Sequence, residues 1–85
     1  MQDKKKCILS ALAKTLKELR GERSQFIVAS ENDIPISILS TAERGIKDPQ
    51  LTTIYKLAEA YNLSFSEFAK LIEKNLPKDF SIIER

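Results

Sequence analysis

Apolar residues recur along this chain at spacings of three and four, the period of helices that turn one face inward. Ile8, Leu12, Leu16 and Leu19 form the first such stripe, with Lys14, Lys17 and Glu18 lying off it. Arg20 and Gly21 close that segment with a basic last turn and a residue suited to a left-handed cap. A second segment opens at Ser24, a good N-cap, and carries Val28 and Ala29 inward before Asn32-Asp33 breaks it. A third runs over about 35–44, with Pro35 in its first turn, Leu39 and Ala42 inward, and Gly45 as its stop. Ile46-Lys47-Asp48-Pro49 reads as a loop. A fourth segment, about 51–61, places Leu51, Ile54, Leu57, Ala58 and Tyr61 on one face. Ser64 and Glu67 have the spacing of a capping box, which opens a fifth helix with Phe65, Phe68, Ala69, Leu71 and Ile72 on its apolar side. Pro77 closes it, and the tail that follows still carries Phe80, Ile82 and Ile83. The pattern predicts an all-α domain of five short helices, with no strand before residue 80.

Composition narrows the chemistry. The 85 residues are 42% apolar and 31% charged, with two Gly, three Pro, one Cys and no His. This fits one small core and excludes a disordered or collagen-like chain. Without His, and with Cys7 alone, there is no disulfide framework, no Cys/His metal site and no His-based catalysis. No catalytic, cofactor or metal constellation emerges, and the chain is not expected to be an enzyme. Lys4, Lys5 and Lys6 before a short apolar run look superficially like a signal peptide, but the run ends at Lys14, too early for most export signals. No stretch has the roughly 20 apolar residues of a membrane span. A cytoplasmic protein with a reduced Cys7 is the expectation.

The net charge of +2 is the sum of unlike halves. Residues 1–23 carry seven basic and three acidic side chains, net +4, whereas residues 24–85 carry seven and nine, net −2. The expected organisation is a basic arm over 1–6, a domain over 7–76 and a tail over 77–85. The arm either reaches toward phosphates or is a solvated end.

The second and third segments have an informative register. With Gln25 as position one, Ala29 is fifth, Asp33 ninth, Ile34 tenth, Leu39 fifteenth and Ala42 eighteenth. A small fifth residue lets two helices approach, and a ninth residue tolerant of left-handed backbone makes a tight turn. Apolar residues at ten, fifteen and eighteen lock the second helix at a steep angle. This is the spacing of a helix-turn-helix, whose second helix can project into a major groove.

Residues 12–72 resemble the phage-repressor and Cro-type helix-turn-helix domain, also called the XRE family. The resemblance rests on Leu19-Arg20, Ser24-Gln25, Ala29, Leu39-Ser40, Glu43-Arg44-Gly45, Asp48-Pro49 and Leu57-Ala58 followed by Leu63-Ser64, in order and at family spacing. It implies a five-helix fold that binds operator DNA as a homodimer and controls transcription. By the same resemblance Gln25, with the Ser24 cap, contacts a phosphate and sets docking register, and Arg20 pairs with Glu43 as an internal salt bridge. Arg44 and Lys47 stand where the backbone is tracked, or are solvated charges. Pro35, Ile36, Ser37 and Thr41 occupy the base-reading positions. None of them can make a bidentate hydrogen bond. Readout would lean on thymine methyls, single hydroxyl bonds and DNA shape.

Two departures from the family pattern carry expectations of their own. The short Gly21-Glu22-Arg23 connection brings Arg23 toward the second helix, where it would add a phosphate contact. Phe26 and Ile27 replace polar residues; we expect one of them to fill core space left by the short turn, the alternative being an exposed apolar patch. Dimer contacts are expected from Ile72, Leu76, Phe80, Ile82 and Ile83. The leading function is a small sequence-specific regulator bound to double-stranded DNA, of the kind that serves as prophage repressor, restriction–modification controller or antitoxin. The alternative is a protein-interaction module on the same scaffold, with weak or no DNA binding. No small-molecule ligand and no membrane partner is implied.

Overall fold

The computed structural model describes residues 4–83 and consists of five helices: α1 (Lys4–Arg20), α2 (Gln25–Glu31), α3 (Ile36–Glu43), α4 (Leu51–Ala60) and α5 (Phe65–Lys74). Among the described residues there is no strand, and no helix is long and apolar enough to cross a membrane. Each boundary has a local cause. Gly21 takes φ +61° and its N–H bonds the Lys17 carbonyl at 3.0 Å, closing α1. Ser24 caps α2 by accepting the Ile27 N–H at 3.1 Å. The Ser64–Glu67 capping box is complete: Ser64 Oγ accepts the Glu67 N–H at 3.1 Å, and Glu67 Oε1 accepts the Ser64 N–H at 2.8 Å.

One core joins all five helices. Leu12 and Leu16 of α1, Val28 and Ala29 of α2, Leu39 and Ala42 of α3, Leu57 and Ala58 of α4 and Phe68 of α5 are buried together with Ile34. A polar seam ties α5 to α1. Thr15 Oγ1 donates to the Ala11 carbonyl and accepts from Asn75 Nδ2, both at 2.8 Å. The pair satisfies a buried hydroxyl and fixes where α5 ends.

The structure corrects three expectations. The chain is already helical at Lys4, so Lys4, Lys5 and Lys6 form the first turn of α1 rather than an arm; residues 1–3 lie outside the described residues. Core filling by Phe26 or Ile27 does not occur: they are 67% and 46% exposed. The seven-residue α2 turns Val28 and Ala29 inward, and at about 100° per residue Phe26 and Ile27 then fall on the outer face. The exposed-patch alternative therefore describes them. Leu51, placed on the inner stripe of α4, is 64% exposed because it opens the helix at the margin of the buried face.

Candidate nucleic-acid interface

The α2–α3 corner is built as its spacing demands. Ala29 is buried, and its carbonyl accepts the N–H of Ile34 at 3.0 Å and of Asn32 at 3.3 Å. Asp33, the ninth residue, adopts φ +54°, the left-handed conformation the turn requires. Its carboxylate lies 3.9 Å from Lys56 Nζ, a contact with α4. Asn32 Nδ2 donates to the Val28 carbonyl at 2.8 Å, closing the end of α2. Pro35 is the N-cap of α3, at φ −58°, and its carbonyl accepts from Ile38 at 3.0 Å.

With Leu39, Ala42 and Glu43 facing the core, the outer face of α3 is centred on Ser37, Thr41 and Arg44, with Ile36 and Ile38 at its margins. Ser37, Ile36 and Pro35 are exposed, and Thr41 is half-buried. The Thr41 hydroxyl donates within its own helix, to the Ser37 carbonyl at 2.8 Å with a second contact to Ile38 at 3.2 Å. What Thr41 presents outward is therefore its methyl and acceptor lone pairs rather than a donor.

Glu43 is the hub that orients this face. It is 1% exposed and accepts three hydrogen bonds. Arg20 binds it as a fork, Nε to Oε2 and Nη2 to Oε1, both at 2.8 Å. Gln25 Nε2 donates to Oε1 at 2.9 Å. The hydrogen bonds it donates to Glu43 hold the Arg20 guanidinium above its usual range. One buried carboxylate thus ties α1, the start of α2 and the end of α3 together. The Arg20–Glu43 pair is where the resemblance puts it. The bond to Gln25 has no signature in the sequence, because the two residues are eighteen apart and meet only through the turn. Gln25 keeps its second amide hydrogen and its carbonyl oxygen for other partners.

Arg23 sits differently from the expectation of a phosphate contact. Its guanidinium folds back on the end of α1, donating to the carbonyls of Leu19 at 3.3 Å and Arg20 at 3.4 Å, and lies 5.5 Å from the centre of the Tyr61 ring. A cation at a helix C-terminus and over an aromatic face is stabilised twice. Burial pushes the Tyr61 hydroxyl above its ordinary range, and that hydroxyl has no hydrogen-bond partner. Arg44 and Lys47 are exposed, and Lys47 lines a groove of about 320 Å³ between α3 and α4 with Ile38, Thr41 and Gln50. Of the residues expected to dimerise, Ile72 packs against the core, Leu76 and Phe80 are half-buried, and Ile82 and Ile83 are exposed.

A family model described as helix-turn-helix matches residues 28–68. Residues 28–68 are a helix-turn-helix domain of the phage-repressor and Cro type. The matched stretch holds the end of α2, the turn, all of α3 and α4, and the start of α5, but not α1 or the Ser24-Gln25 start of α2. The family is one of DNA-binding regulators and not of enzymes. Searches of curated proteins and of solved structures gave no match.

Proposed function

We propose that this helix-turn-helix protein is a sequence-specific, double-stranded-DNA-binding regulator of transcription that acts as a cytoplasmic homodimer. The single observation that carries the reading is the α2–α3 unit, whose outer face presents exposed Ser37 and Arg44 and half-buried Thr41 while its inner face is locked by Glu43. In this reading α3 enters the major groove with Pro35, Ile36, Ser37 and Thr41 toward base edges. Ser24, Gln25, Arg44 and Lys47 lie along the phosphates and fix the register. Arg23 is left out of that set because its guanidinium is engaged by α1 and Tyr61. Ile82 and Ile83 supply apolar area for a two-fold contact, which would set paired half-sites about 34 Å apart.

Selection of bound duplexes from a random pool tests this. A palindrome with half-sites one turn apart is the expected result, and a folded protein that retains no duplex at low salt rules the reading out. The exposure of Phe26 and Ile27 favours a second reading, a protein-interaction module on the same scaffold. In that case Phe26→Ser abolishes partner capture while duplex binding is absent from the outset.

A further inference from the structure

Grooves flank α3 on its α4 side and on its α1 side. On the α4 side lies the groove lined by Lys47. On the α1 side, where α1 packs against the end of α3, an open groove of about 410 Å³ is lined by Ser10, Lys14, Lys17 and Glu18 of α1 and by Arg44 and Gly45 beyond α3. Three cations therefore converge on one flank of α3. Ion pairs among the described side chains engage Lys5, Arg20 and Lys56; among those same residues no carboxylate pairs with Lys14, Lys17 or Arg44. The two acids nearby do not neutralise them. Glu43 is bound by Arg20 and Gln25, and Glu18 Oε1 accepts from Asn75 Nδ2 at 3.2 Å, toward α5.

From this we infer that Lys14 and Lys17, with Arg44, form a second phosphate-backbone anchor, which grips the DNA strand on the α1 side of the recognition helix. The inference rests on the DNA-binding reading above. A helix seated in a major groove about 12 Å wide has a phosphate strand on each side. Lys47 serves one flank, and the α1 groove supplies the other. Lys14 and Lys17 are one helical turn apart, about 4.5 Å along the axis, which suits neighbouring phosphates spaced about 3.4 Å per strand along the duplex. Three cations with no carboxylate partner among the described residues, on one flank of α3, let a near-neutral protein hold a polyanion there.

The test is the salt dependence of binding to a mixed-sequence duplex of about 30 base pairs, where backbone contacts supply almost all the affinity. Each lost phosphate contact flattens the plot of log affinity against log salt by about 0.9. Lys14→Gln/Lys17→Gln is expected to flatten it by about 1.8 per bound protomer, which is about a 60-fold loss at 0.1 M relative to 1 M. Lys14→Arg/Lys17→Arg should restore the slope. A charge-matched change on α5, Lys70→Gln/Lys74→Gln, should leave it near the wild-type value. The anchor is overturned if the α1 and α5 variants give the same slope while wild type still binds duplex. Wild type that binds no duplex at 50 mM salt overturns the DNA-binding reading as well. Unchanged thermal unfolding of both variants shows that the comparison concerns binding and not folding.

Discussion

Removing the Arg20 side chain should cost more stability than its position at the surface suggests. Arg20 is 21% exposed, but the carboxylate it neutralises is 1% exposed. Arg20→Met keeps much of the packing and leaves Glu43 with one neutral donor, the Gln25 amide at 2.9 Å. Breaking a buried pair by deleting one partner costs about 3–5 kcal/mol, because an uncompensated charge stays behind. That is a large part of the roughly 5–15 kcal/mol typical of a domain. For a domain of this size it corresponds to at least about 12 °C in Tm. Arg20→Met/Glu43→Leu removes both charges and should recover most of the loss. Urea unfolding followed by circular dichroism compares both variants with wild type. A loss below about 1 kcal/mol at pH 7 refutes the view of Glu43 as a buried charge held by Arg20.

The other expectations follow from single contacts. Tyr61→Phe removes a buried hydroxyl with no partner and should stabilise by up to about 1 kcal/mol; it should also abolish any loss of stability as pH rises above about 10, since burial holds the Tyr61 pKa up and its neutral form stabilises the fold below that pH. Hydrogen bonds from Ser64 hold the Glu67 carboxyl below its ordinary range, so the capping box contributes above about pH 4.3 and is lost as pH falls through the depressed folded-state value. Amide exchange in the first turn of α5 should accelerate on acidification in wild type and be pH-insensitive beyond the intrinsic rate in Glu67→Gln. Phe26→Ser should change unfolding free energy by no more than about 0.5 kcal/mol, because the ring is exposed; a loss above about 2 kcal/mol in denaturant titration would return Phe26 to the core. Gln25→Ala should weaken binding to all duplexes alike, whereas Ser37→Ala should alter preference at one or two base pairs, measured by competition among single-base operator variants.

Helix identity and order were legible from local pattern because each stripe, cap and break acts within a few residues. Ser24, Gly21 and the Ser64–Glu67 box took their expected roles for that reason. The ninth-position Asp33 likewise revealed the turn, since a left-handed residue there leaves few other backbone courses. Periodicity failed where a residue sits at the edge of a stripe or in a very short helix. Leu51 is apolar and spaced for burial but opens α4 at the margin of the buried face, and Phe26 lies on the face of the short α2 opposite Val28 and Ala29.

The candidate interface divides along the same line. The sequence by itself determined which residues lie on α3 and which of them point outward, because 3.6 residues per turn and a known inner face settle that. It also determined that Arg20 and Glu43 belong together, through their place in a family motif. Only the tertiary structure decided what the polar groups do once helices cross. It gave the Gln25 amide to Glu43, turned Arg23 onto the end of α1 and Tyr61, and brought Lys14 and Lys17 beside Arg44. These are contacts between residues far apart in the chain. No local propensity encodes them, since they exist only after one core has fixed the angles between α1, α2 and α3.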